Sequence, residues 1–162
     1  MPMQQVIQAL ADKRPRIFIG HRPGKKTLDY LKSLQLTHCC TLLREREGAQ
    51  AIQQICDKLD YEWVWLPIKG GRLEMLAETD IAGHLQTLYS AIADEPEPRL
   101  YLHCSAGIHR TGFFAYLLLR LQGHDPKSAL AALADIREVT ATQVGQERLT
   151  FADNVFTSLL RD

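Results

Sequence analysis

A chain of 162 residues, 46% of them hydrophobic, holds enough apolar surface to close a core without disulfides or metals. Lysine plus arginine and aspartate plus glutamate both number 19, so bulk charge gives no reason to expect nucleic-acid or membrane binding. The composition predicts one domain over 1–162 and excludes the polybasic and acidic-tail classes.

The opening stretch MPMQQVIQALADKRPR has no long apolar core and no cleavage-site pattern, and so predicts no secretory signal. RIFIG (16–20) predicts a short strand. Residues 25–35 place Leu28, Leu31 and Leu34 on one face of a helix. HCCTLL (38–43) predicts a buried strand, and 49–59 repeats the helical spacing through Ile52, Ile55, Cys56 and Leu59. YEWVWLPI (61–68), aromatic and β-branched, predicts a strand stopped by Pro67. A helix follows over 79–93 with Thr79 as its cap, and EPEP breaks it. RLYLH (99–103) predicts the next strand. Helices are then expected over 111–122, over 125–139 through an Asp-Pro entry, and over 145–160. The longest apolar run, FFAYLLL, is far too short to span a bilayer. Strands alternating with helices predict a layered α/β fold with a mostly parallel central sheet flanked by helices, its strand order open. Cys39, Cys40, Cys56 and Cys104 are few and irregularly spaced, which predicts reduced thiols in a cytoplasmic protein.

HCSAGIHRTG (103–112) stands between the strand RLYLH and a helix. A loop entering a helix past the carboxyl end of a strand aims backbone N–H groups and a helix dipole at one point, which favours an anion. Gly107 admits backbone conformations barred to other residues. Arg110 can hold two phosphate oxygens in a fork. Ser105, Ala106, Gly107, Ile108, His109 and Arg110 therefore form a candidate phosphate cradle. Cys104, at its base, is expected to be a thiolate. From there it can attack phosphorus and form a phosphocysteine that water hydrolyses. Thr111 can donate to that sulfur, and His103 is placed to support the loop. Neither a metal nor an organic cofactor is expected, because no second cysteine pair completes a ligand set with His103 and Cys104.

The segment resembles the signature His-Cys-x5-Arg-Thr/Ser-Gly of the cysteine-dependent protein tyrosine phosphatase superfamily, and the upstream layout is similar to its compact dual-specificity branch. That resemblance implies a phosphatase with catalytic Cys104, Arg110 and Thr111, acting on a phosphorylated substrate, first of all a phosphoprotein. It also implies an aspartate about thirty residues before the cysteine, acting as general acid and contributing about 10²–10⁴-fold. Here Lys69 and Gly70 stand where that acid is expected. Glu74 has the best spacing of the remaining acids. Glu78 and Asp80 read as the start of the next helix, and His109 as a rim residue. Family members use a glutamine beyond the signature helix to position water, a place that Gln146 fits better than Gln143. Without the aspartate, a phosphoinositide phosphatase, an RNA 5′-triphosphatase or a non-catalytic phosphate-binding module stand as alternatives. Lys25, Lys26, Lys69 and Arg72 can add a positive rim.

Overall fold

The computed structural model describes residues 2–161. Four strands, β1 (Arg16–Gly20), β2 (His38–Thr41), β3 (Glu62–Trp65) and β4 (Arg99–His103), form one sheet in the order β1-β4-β2-β3. Every neighbouring pair is parallel, with Thr41 beside His103 and Gly20 beside His103 at the carboxyl edge. β2 is buried along its whole length, as a strand covered on both faces must be.

Helices flank this sheet. α1 (Met3–Lys13) lies over residues for which the sequence reading offered no element. Its Val6, Ile7 and Leu10 make a stripe narrow enough to escape notice, yet they are buried. α2 (Leu28–Ser33) is shorter than expected, because Lys25–Thr27 form a separate 3-10 turn. α3 (Ala49–Leu59) has the expected bounds and packs on β2 and β3.

The segment between β3 and β4 differs more. A short helix, α4 (Leu73–Ala77), occupies what read as loop, and Thr79 closes it by donating to the Met75 carbonyl. Asp80, not Thr79, caps α5 (Ile81–Ile92), accepting the Gly83 N–H at 3.0 Å. A carboxylate wins that position through the stronger bond to an orphan N–H at the helix's positive end.

α6 (His109–Leu121) starts at His109, inside the signature segment. Phe113 through Leu119 are all buried, so it is a central helix with no solvent face. It packs against α7 (Pro126–Ile136), α8 (Glu138–Gln143) and α9 (Gln146–Arg161). The single helix expected over 125–139 is broken at Arg137, whose extended backbone caps both α7 and α8. Gly112 lets α6 and α8 meet: a Cβ there would press into Val144 at 2.7 Å. Among the described residues no helix is long and apolar enough to cross a membrane.

Candidate active site

β4 ends at His103 in the middle of the sheet, and the chain turns through 104–108 into α6. The turn's carbonyls are tied outward. Ser105 accepts from the Arg22 N–H (3.2 Å), Ala106 from Arg137 (2.9 Å), and Gly107 from Arg137 (3.0 Å) and the Thr140 hydroxyl (2.6 Å). With these carbonyls engaged outside, the N–H groups of the turn face its interior. Gly107 has φ +73°, and a Cβ on it would collide with the Gly20 carbonyl. Gly107→Ala is expected to lower stability by about 1–3 kcal/mol and to weaken inorganic phosphate binding, measured by denaturant unfolding and titration calorimetry.

Cys104 is buried at the base of this cradle. Burial alone would raise its thiol. The Thr111 hydroxyl (3.1 Å from Sγ), the Thr111 N–H, the Arg110 charge and the Gly107 N–H outweigh burial and hold it below the ordinary value. Cys39, Cys40 and Cys56 are also free and buried, but Cys40 is pushed upward chiefly by burial. Cys104, unlike Cys40, is thus equipped to ionise.

Arg110 is aligned from behind. Its Nη1 donates to Glu47 (2.8 Å) and to the Ile68 carbonyl (3.0 Å), and its Nη2 donates to the other Glu47 oxygen (2.9 Å). A guanidinium has five N–H donors, so among the described residues Nε–H and one Nη2–H are left as a fork beside Cys104. Burial would raise the Glu47 carboxyl, but Arg110 and the Arg44 N–H bring it down to about 2. The sequence reading missed Glu47. Its only signal was indirect: an arginine side chain left 10% exposed needs a counter-charge, and REREG offered several.

The residues considered for proton transfer sit apart from the cradle or carry other bonds. Glu74 is an exposed residue of α4, held below the usual carboxylate range by its own backbone N–H and by Arg72, 2.7 Å away. Glu78 pairs with Lys69 at 3.1 Å, and Asp80 caps α5. His109 is exposed on the rim, and partial burial with the Arg148 and Arg110 charges lowers its imidazole. Gln146 is exposed, donates to Thr150 (3.2 Å) and lines a groove with Tyr116, Pro126 and Leu130 rather than the cradle. Pairing with Glu78 and Glu74 also neutralises Lys69 and Arg72, half of the expected basic rim. His103 is fully buried against Cys104 and Thr41.

A family model described as "Tyrosine phosphatase family" matches residues 21–134. No curated protein matches the chain. Its fold is similar to the core catalytic domain of the S. cerevisiae PP-IP phosphatase SIW14, at 19% identity and TM-score 0.58, over 85% of this chain and 79% of that one. Kinase associated phosphatase (KAP) is similar at 19% identity and TM-score 0.63, over 85% and 78%. P. aeruginosa TpbA, in complex with pTyr, is similar at 20% identity and TM-score 0.53, over 88% and 86%.

Proposed function

The chain belongs to the tyrosine phosphatase family, and from that premise we propose that it hydrolyses phosphate monoesters through a phosphocysteine on Cys104. The observation that carries this reading is the Arg110 fork beside a thiol of lowered pKa. A phosphoryl group on that fork would present its equatorial oxygens to the N–H groups of 105–110, with phosphorus above the sulfur. The thiolate forms the S–P bond while the P–O bond to the leaving group breaks, and that oxygen departs with the electron pair. Water then attacks phosphorus and loses a proton to solvent. The S–P bond breaks, Cys104 leaves as a thiolate stabilised by the Thr111 hydroxyl, and inorganic phosphate is released.

The carboxylates near the site favour substrates with good leaving groups. Glu47 is bound to Arg110, Glu74 to Arg72, Glu78 to Lys69, and Asp80 caps a helix. None is poised to protonate an alkoxide. The phenolate of a phosphotyrosine side chain departs without such help far more readily than a serine alkoxide. We therefore place phosphotyrosine proteins first among substrates, in keeping with the pTyr complex of TpbA. Phosphoanhydride cleavage, as in an RNA 5′-triphosphatase, is the second reading, favoured by the same lack of an acid.

The test is kcat/KM over aryl phosphates of graded leaving-group pKa, with Cys104→Ser as blank. A steep dependence is expected. A shallow one would mean that Glu74, Glu78, Asp80 or His109 moves in as acid, and phosphate binding without turnover would make the protein a phosphate-binding module.

A further inference from the structure

The segment between β3 and α4 is gripped from several sides. The Ile68 N–H donates to the Leu42 carbonyl, just past β2, at 3.0 Å. The Pro67 carbonyl accepts from His84 Nε2 of α5 at 2.8 Å, and the Ile68 carbonyl from Arg110 of α6 at 3.0 Å. The Gly71 carbonyl accepts from Arg148 Nε of α9 at 2.6 Å. Gly71 also lies against the first turn of α6, where a Cβ on it would stand 2.7 Å from that of His109.

Segments that cover an active site commonly swing, and those that do carry few fixed backbone bonds. Here a swing would strand the Pro67, Ile68 and Gly71 carbonyls together. Arg148 is itself held for the task. Its side chain is 17% exposed, and its Nη1 donates to the Val144 carbonyl at 2.9 Å, which turns Nε toward Gly71. Glu147, its acidic neighbour, is 3.9 Å away on a side chain 67% exposed, so that pair is screened and weak. The guanidinium is also near enough to His109 to lower its imidazole, although burial is the larger cause.

We propose that Arg148 is a positioning residue: through Gly71 it fixes 67–71 as a standing wall of the phosphate cradle, and so holds the Ile68 carbonyl on Arg110. This rests on the phosphatase reading above. Glu47 and Ile68 share Arg110 Nη1, so a wall that drifts withdraws one of the two acceptors that aim the fork. A fixed wall also keeps Glu74 and Glu78 on α4 and at its end, so neither carboxylate is carried to the leaving group.

Two substitutions isolate the pin from the charge. In Arg148→Gln the amide nitrogen falls where Nε stood, so the bond to Gly71 is kept and the charge is lost. In Arg148→Met, of similar length, both are lost. Relaxation dispersion of the Gly70 and Gly71 amides is expected to be flat in the wild type, with or without inorganic phosphate, and flat in Arg148→Gln. In Arg148→Met it is expected to show microsecond-to-millisecond exchange. kcat/KM for an aryl phosphate is expected to be about ten-fold lower in Arg148→Met than in Arg148→Gln. The pH profile of Cys104 alkylation by iodoacetamide is expected to match the wild type in both variants. A shifted profile would mean that the nucleophile loop itself is disturbed, and would overturn a role confined to the wall. Exchange at Gly70 or Gly71 in the wild type or in Arg148→Gln also overturns the proposal, as does an Arg148→Met protein equal to Arg148→Gln in exchange and rate. Should Arg148→Met fail to fold, dispersion in the wild type and in Arg148→Gln still decides. Dispersion needs no turnover, so a wild type inactive on every aryl phosphate would sink the phosphatase reading and leave the wall standing.

Discussion

Cys104→Ser is expected to lower hydrolysis of aryl phosphates by at least about 10⁴-fold while leaving inorganic phosphate binding within a few-fold of wild type. The reason lies in what the substitution leaves behind. The Glu47 grip on Arg110 and the outward-tied carbonyls of 105–107 do not involve the sulfur. The anion cradle thus persists without its nucleophile. A serine hydroxyl is not ionised by surroundings that lower a thiol, since it starts several units higher, and no base touches it: His103 is turned to the Cys104 carbonyl and to Thr41. Single-turnover hydrolysis and calorimetry with phosphate check both halves. Near-normal turnover in Cys104→Ser would remove the phosphocysteine step outright.

What could be read from the chain and what could not divides by distance along it. Cys104, Gly107, Arg110 and Thr111 lie within eight residues, and one strand-loop-helix turn brings them together, so their spacing alone described the cradle. Their supports come from elsewhere. Glu47 is 63 residues from Arg110, Thr41 is 62 from His103, and Arg137 reaches the 106–107 carbonyls from another helix end. Each is an ordinary residue in its own neighbourhood, and only the parallel register and the packing of α6 to α8 give it a role. The secondary structure shows the same contrast. α3 keeps its expected bounds because its apolar spacing is regular and αL residues close it at both ends. α1, α4 and α8 are short or narrow-striped, and tertiary packing rather than local pattern makes them helical. Glu74 had the right separation from Cys104, yet α4 places it on an exposed face beside Arg72, a result that no spacing rule contains.

Glu47→Gln is expected to reduce kcat/KM by about 10²–10³-fold without raising the Cys104 thiol pKa, an outcome that separates the arginine clamp from the nucleophile. The carboxylate holds two guanidinium nitrogens at once, which fixes the plane in which the fork beside Cys104 lies. A glutamine can accept from only one of them, and its amide N–H groups point at the other. Arg110, 10% exposed, also loses its counter-charge, so a loss of about 3 kcal/mol is expected, or roughly a 10 °C fall in Tm. The sign on the thiol is opposite to that on rate. Removing a negative charge from this region favours the thiolate, so the alkylation profile should stay or move to lower pH. Acid adds a second check. Glu47 falls to about 2 on folding, so the ion pair contributes its full stability above the unfolded carboxyl range and loses it as pH falls through about 2. The stability gap between wild type and Glu47→Gln should therefore close on acidification across that window. If Glu47→Gln matches the wild type in kcat/KM, the alignment of Arg110 by its carboxylate is not needed, and the fork must be held by the Ile68 carbonyl alone.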